Sequence, residues 1–187
     1  MASRLFIAAE IPLLQRENII RVRDEICELE YCAFNWEPIE KLHLTLKFLG
    51  DTDDEIIPEI KHSLYEIISD FKNIEVAYSR FGIFFRNGAP SILWAGLNYD
   101  YSLKKLFDRI QEKMTRFGFK KERKKFEPHI TLSRLKNLPP NVTLNGFMNY
   151  EFNREKFNIN EIVLYKSELQ RSGSIYTKLK SFKLGNG

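Results

Sequence analysis

Cysteine is scarce: Cys27 and Cys32 are the only two in 187 residues, five positions apart at an apparent helix end. That spacing matches neither a metal knuckle nor a disulfide framework, so both are expected as reduced thiols. The opening MASRLFIAAEIPLLQ lacks the length of a secretory or membrane-spanning segment, because Glu10 and Pro12 interrupt it. A cytoplasmic location with no membrane partner is expected, and the sequon Asn141-Val142-Thr143 is then expected to stay unglycosylated. Low-complexity filler and Gly/Ser linkers are also missing, which predicts one domain over residues 1–187 with a core that needs no staples. Histidine is rare, with only His43, His62 and His129.

What the chain does contain is ordinary for a folded protein: 43% apolar and 29% charged residues. The charge leans basic, with a formal net charge of +4 and a pI near 9.0, which favours a polyanionic partner without requiring one. The excess is densest at Lys120-Lys121-Glu122-Arg123-Lys124-Lys125, directly upstream of His129. A solvated loop and a guide for a phosphate backbone both fit such a run.

Arg4 to Ala9 has the pattern of a buried strand, and Leu13 to Leu29 carries apolar residues at helical spacing. His43 to Leu49 reads as a second strand, and Asp53 and Asp54 supply cap chemistry for a helix running to about Phe71. Glu75 to Phe85 and Ser91 to Leu97 are rich in β-branched and aromatic residues. Asn87-Gly88 between them is a hairpin signal that Pro90 loosens. Asp100 or Ser102 caps a third helix, in which Leu103, Leu106, Phe107, Ile110 and Met114 keep helical spacing up to Gly118 as the stop. His129 to Arg134, Phe157 to Tyr165 and Ile175 to Phe182 complete the strands, the last two joined by Ser172-Gly173-Ser174. Strands outnumber helices in mixed order, which fits an α+β fold with antiparallel sheets.

One short pattern recurs: His43-Leu44-Thr45-Leu46 and His129-Ile130-Thr131-Leu132, 86 positions apart. Alternation along a strand puts each His and Thr on one face and the aliphatic residues on the other. If the two polar faces meet across a cleft, their imidazoles flank one small anion. An ordinary imidazole pKa of about 6.5 lets one ring be neutral and the other protonated at the same pH, as an acid and base pair requires. The Thr45 and Thr131 hydroxyls are placed to donate to non-bridging phosphate oxygens as charge shifts.

The segments His43-Leu-Thr-Leu-Lys-Phe-Leu-Gly50 and Pro128-His129-Ile-Thr-Leu-Ser-Arg134 resemble the paired signatures of the 2H phosphoesterase superfamily, and within it the RNA 2',3'-cyclic phosphodiesterases, also called 2'-5' RNA ligase-like proteins. The likeness takes in Arg4-Leu5-Phe6-Ile7-Ala8, Trp36, Leu93-Trp94-Ala95-Gly96-Leu97 and the closing Ser167, Leu169, Gly173, Tyr176 and Leu179. It implies a bilobal α+β fold, two antiparallel sheets with flanking helices around a central cleft, and one motif strand per lobe. The implied substrate is an RNA with a 2',3'-cyclic phosphate terminus, such as a tRNA fragment, opened to a 2'-phosphomonoester by a monomer with no metal and no cofactor. By the same likeness His129 is the base that activates water and His43 the acid at the departing 3' oxygen. The symmetry of the two motifs does not itself assign those roles.

By the same likeness Arg134 contributes to the positively charged site and Tyr176 of the closing motif reaches the substrate; Arg134 in an ideal strand points away from His129, with a salt bridge as its competing reading, and a half-buried structural ring is the competing reading of Tyr176. Phe6, Trp36, Phe84 and Trp94 are core or base-stacking candidates. Lys47 falls on the His43 face if that strand is regular, and His62 lies in a helix with no Thr partner. Two other classes stay open: an RNA-binding module without chemistry, and a zinc site, although no third donor accompanies either motif at ligand spacing. Related cyclic or 2'-5' linked phosphodiesters, and the ligation direction, are equally compatible.

Overall fold

The structure, a computed structural model, describes residues 1–29, 34–135, 144–171 and 173–185. Cys32, the sequon at Asn141 and Ser172 fall outside them. Eight strands are described: β1 (Ala2–Glu10), β2 (His43–Asp53), β3 (Ile74–Arg86), β4 (Ala89–Tyr99), β5 (His129–Arg134), β6 (Lys156–Ile159), β7 (Glu161–Gln170) and β8 (Gly173–Lys183). With them are α1 (Leu13–Leu29), α2 (Ile57–Ile68), α3 (Tyr101–Met114) and the single-turn α4 (Asn145–Met148).

Local chemistry sets several element ends. The Asp100 carboxylate accepts the N–H groups of Ser102 at 2.8 Å and Leu103 at 3.3 Å, capping α3. Gly118, at φ +83°, ends the turn that follows α3. Asn87 and Gly88, at φ +52° and +78°, form the two-residue turn between β3 and β4, as a hairpin that needs positive φ at both positions favours. Asp53 accepts from the Glu55 N–H at 3.2 Å, but this starts a 3-10 turn. The regular helix α2 begins at Ile57 and closes at Ile68, short of Phe71.

All the strands pair antiparallel in one sheet of order β6-β3-β4-β5-β2-β1-β7-β8. Where two sheets were expected, one continuous sheet is found, because β2 and β5 pair at its centre. The join is slight, a single register pair of Leu44 with Ile130. On either side the four strands follow one plan: a motif strand innermost, then the strand that leads through a helix into it, β1 through α1 and β4 through α3.

The apolar side of β2 and β5 faces the helices. Leu44, Leu46, Ile130 and Leu132 are buried with Ile19 of α1, Leu64 of α2 and Ile110 of α3 in one core, each side chain contributing about 1.5–3 kcal/mol. On the opposite face a smaller cluster gathers Phe6, Ala8, Val163 and Tyr165, with Tyr176 against it. Phe157 to Tyr165 is not one strand: the chain breaks at Asn160, so β6 pairs with β3 and β7 with β1. Cys27 is disulfide-bonded, which corrects the expectation of a reduced thiol there.

Candidate active site

The Leu44–Ile130 register decides what meets on the helix-free face. His43 and Thr45 flank Leu44, while His129 and Thr131 flank Ile130, so antiparallel pairing sets His43 against Thr131 and Thr45 against His129. The two histidines occupy diagonal positions, whose Cα atoms lie about 7–8 Å apart in a regular pair. Consistent with that, a charge on His129 is felt at His43. The motif strands therefore bring the four predicted residues to one place.

The two motifs share a further feature that alternation alone does not show. In β2 the register with β1 slips between Thr45, opposite Ala8, and Lys47, opposite Ile7. In β5 the register with β4 slips between Thr131, opposite Trp94, and Ser133, opposite Leu93. Each slip is a bulge at the aliphatic residue after Thr, Leu46 or Leu132, and it reverses the facing of the residues that follow, in β2 as far as a second slip between Phe48, opposite Phe6, and Gly50, opposite Leu5. Lys47 and Ser133 consequently turn to the buried side and Phe48 and Arg134 to the histidine side.

Lys47 is thereby removed from the site. Its ammonium is buried and donates to Gln111 Oε1 at 2.8 Å and to the Lys120 carbonyl at 2.9 Å. Burial pushes its pKa down against the raising effect of Glu122. Arg134 moves the other way. It stands opposite Ile92, two residues from Trp94, which lies opposite Thr131, so it shares the His129 face. Phe48 stands opposite Phe6 at a ring separation of 6.1 Å and is 71% exposed, a site-rim aromatic that regular alternation places on the wrong side.

Both imidazoles are held alike. His43 Nδ1 lies 2.7 Å from the Lys41 carbonyl and His129 Nδ1 lies 2.8 Å from the Glu127 carbonyl. A carbonyl only accepts, so Nδ1 carries the proton in each ring, and in the neutral ring Nε2 keeps its lone pair. His43 Nε2 is 3.1 Å from Thr45 Oγ1. Phe6 packs 5.1 Å and Tyr176 5.6 Å from the His43 ring, and Phe84 packs edge-on at 4.8 Å to His129, with Trp94 at 6.0 Å. The indole lies over two glycines: a Cβ on Gly82 would fall 2.1 Å from Trp94 Cζ2, and one on Gly96 would fall 2.9 Å from Cζ3. Of the four candidate stacking rings, Phe6, Phe84 and Trp94 thus pack on the histidines, and Trp36 packs against Phe34 and Phe147.

This aromatic surround lowers both imidazole pKa values. Burial brings His43 from 6.5 to about 4, opposed by the Lys41 hydrogen bond and Glu10 and assisted by the charges of His129 and Arg134. Burial also lowers His129, opposed by the Glu127 carbonyl and carboxylate. At neutral pH the empty site holds two neutral rings.

Arg134 Nε donates to Glu37 Oε1 at 3.2 Å. Burial raises the Tyr176 pKa, helped by the Glu37 charge and opposed by that of Arg134, so the predicted pair Arg134 and Tyr176 stands close together beside His43. Glu37 is positioned by the segment that runs along β5, where its N–H donates to the Leu132 carbonyl at 2.8 Å and Ser133 Oγ donates to the Asn35 carbonyl at 3.0 Å. His62 is elsewhere, exposed on α2 and 3.3 Å from Glu66. In the basic run Lys121 is tied to Glu112, while Arg123, Lys124 and Lys125 are exposed. Among the described residues no three His, Cys, Asp or Glu side chains stand together as a ligand set.

A match to the family model of the 2'-5' RNA ligase superfamily extends over residues 15–171. The RNA 2',3'-cyclic phosphodiesterase of Methanocaldococcus jannaschii is 31% identical over 183 residues, covering 96% of this chain and 99% of that protein. The enzyme of the same name from Thermotoga maritima is 28% identical, covering 98% and 97%. The crystal structure of E. coli LigT complexed with 3'-AMP superposes with a TM-score of 0.80 at 26% identity, covering 98% of this chain and 99% of that one. The chain belongs to the 2H phosphoesterase superfamily and, within it, to the RNA 2',3'-cyclic phosphodiesterase (LigT-like) family.

Proposed function

We propose that this chain opens the 2',3'-cyclic phosphate at an RNA terminus to a 2'-phosphomonoester, with His43 and His129 as the acid and base pair. The observation that carries this reading is the register of Leu44 with Ile130, which sets two His-x-Thr faces side by side on the helix-free surface. The halves β6-β3-β4-β5 and β2-β1-β7-β8 act as the two lobes, and the substrate phosphate sits where they meet. The activity printed in the names of the relatives, RNA 2',3'-cyclic phosphodiesterase, supports the choice of substrate.

In this scheme His129 Nε2 takes a proton from water as its oxygen attacks phosphorus in line with the bond to O3'. That bond breaks, and His43 Nε2–H delivers a proton to the departing oxygen. The carbonyls at Nδ1 hold each ring in the orientation the exchange needs and stabilise the imidazolium when it forms. Because burial keeps both rings neutral in the empty site, the acid's proton enters with the substrate, whose negative charge favours imidazolium. Thr45 and Thr131 donate to the non-bridging oxygens, and Arg134 and Tyr176 hold the flank beside His43. The donor set favours this route over a metal, since the described residues offer no third ligand. A 5'-hydroxyl in the place of water would yield a 2'-5' linkage by the same steps.

The test is product analysis of adenosine 2',3'-cyclic phosphate incubated with the protein and a chelator. The scheme predicts the 2'-monophosphate alone; a 3'-monophosphate product or complete loss of turnover with chelator would overturn it.

A further inference from the structure

A cavity of about 490 Å³ opens beside His43, within the range of a small-molecule site. Its walls come from the segment before β2, the end of β5 and the β7–β8 hairpin. Among the described residues Lys41, Arg134, Arg171 and Tyr176 line it, with Glu37 as the single acid. The lining therefore carries three cations to one anion. Arg134 is engaged by Glu37. Lys41 and Arg171 meet no carboxylate among the described residues; Lys41 Nζ stands 5.8 Å from the Tyr176 ring centroid and would lie 3.8 Å from a Cβ at Gly173.

The cavity adjoins the two histidines through residues that both surroundings share. Tyr176 forms one of its walls and also packs edge-on against the His43 ring, while the carbonyl of Lys41 holds His43 Nδ1. If the cyclic phosphate lies between the two histidines, the cavity's unneutralised charge needs a second anion. The base and ribose of the terminal nucleotide are neutral, so the nearest available anion is the next phosphodiester along the chain.

We propose that this cavity is a subsite for the phosphodiester 5' to the terminal nucleotide, with Lys41 and Arg171 as its contacts, so that the chain favours oligonucleotide over mononucleotide ends. This rests on the reading of the reaction given above, and the experiment separates the two. Initial rates are compared for adenosine 2',3'-cyclic phosphate and for a triadenylate ending in the same group, using wild type, Arg171→Ala and Lys41→Ala. Each variant is expected to lose about 10-fold to 100-fold in kcat/KM on the trinucleotide, mainly through KM, as for a lost charge-assisted contact. With Arg171→Ala the mononucleotide rate stays within about twofold.

The slope of log KM against log salt for the trinucleotide should fall by about 0.7 for each phosphate contact removed. Equal losses on both substrates would place the terminal nucleoside itself in the cavity and overturn the subsite. So would trinucleotide kinetics unchanged by both variants. Absence of wild-type turnover on both substrates would instead overturn the reaction assigned above.

Discussion

The buried imidazole of His43 gives the chain an acid-labile stability whose size follows from its surroundings. Folding takes its pKa from 6.5 to about 4, burial being the chief cause. Above pH 6.5 the ring is neutral in both states and adds no pH dependence. As pH falls below 6.5 the unfolded chain binds a proton that the folded site refuses, so stability declines. Once pH passes below about 4 both states hold the proton and the loss is complete. At about 1.4 kcal/mol for each factor of ten, the total is about 3 kcal/mol. In His43→Gln this component is gone, while the amide can still reach the Lys41 carbonyl and Thr45. Urea unfolding of both proteins from about pH 7.5 to about pH 4, in buffers free of phosphate, should give stability curves that converge or cross as pH falls, with the wild type losing about 3 kcal/mol more. Added inorganic phosphate should shrink that difference, because an anion at the site favours the imidazolium. Parallel curves across this window would refute the argument that burial governs His43.

Four further outcomes follow from particular contacts. Since burial lowers both imidazoles, the alkaline limb of kcat/KM against pH, which reports the free enzyme, should fall below pH 6.5, while kcat with the anion bound keeps its maximum at higher pH. Gly82→Ala drives a methyl into the Trp94 indole and should cost about 1–3 kcal/mol in urea unfolding, with kcat falling more than KM rises because Trp94 and Phe84 pack on His129. Thr45→Val or Thr131→Val should lower kcat by roughly 10 to 1000-fold in steady-state assays. Lys47→Ala should destabilise the fold by about 1–3 kcal/mol, by leaving Gln111 Oε1 and the Lys120 carbonyl short of a donor, and leave KM for the cyclic phosphate unchanged.

Much of this was legible in the chain because local chemistry dictated it. Asp100, Asn87-Gly88 and Gly118 mark their element ends through caps and positive φ, and the helix from Leu13 to Leu29 was readable from apolar spacing. Long-range pairing was not. Nothing local distinguishes Phe157 to Tyr165 as one strand from two, since both halves are apolar and only the break at Asn160 sends them to different partners. Whether the strands close into one sheet or two turns on the single pair Leu44 and Ile130.

In the site, alternation gave His43, Thr45, His129 and Thr131 a shared facing within each motif. It failed two positions later, where the bulges at Leu46 and Leu132 withdraw Lys47 and bring in Arg134 and Phe48. Each aliphatic residue is followed by one that is buried rather than exposed, and a bulge is the only regular way to bury two successive residues on one side. In Leu46-Lys47 the polar second residue concealed that signal.

The proposal that two histidines share one phosphorus is tested most directly by single-turnover hydrolysis of a 2',3'-cyclic-phosphate-ended oligonucleotide by wild type, His43→Ala and His129→Ala with chelator present, each protein first shown to be folded by circular dichroism. Undiminished wild-type turnover with chelator, and a loss of about 100-fold to 10,000-fold in each variant, is the predicted result. Near-normal turnover by either variant, or activity that chelator abolishes and zinc restores, would contradict it.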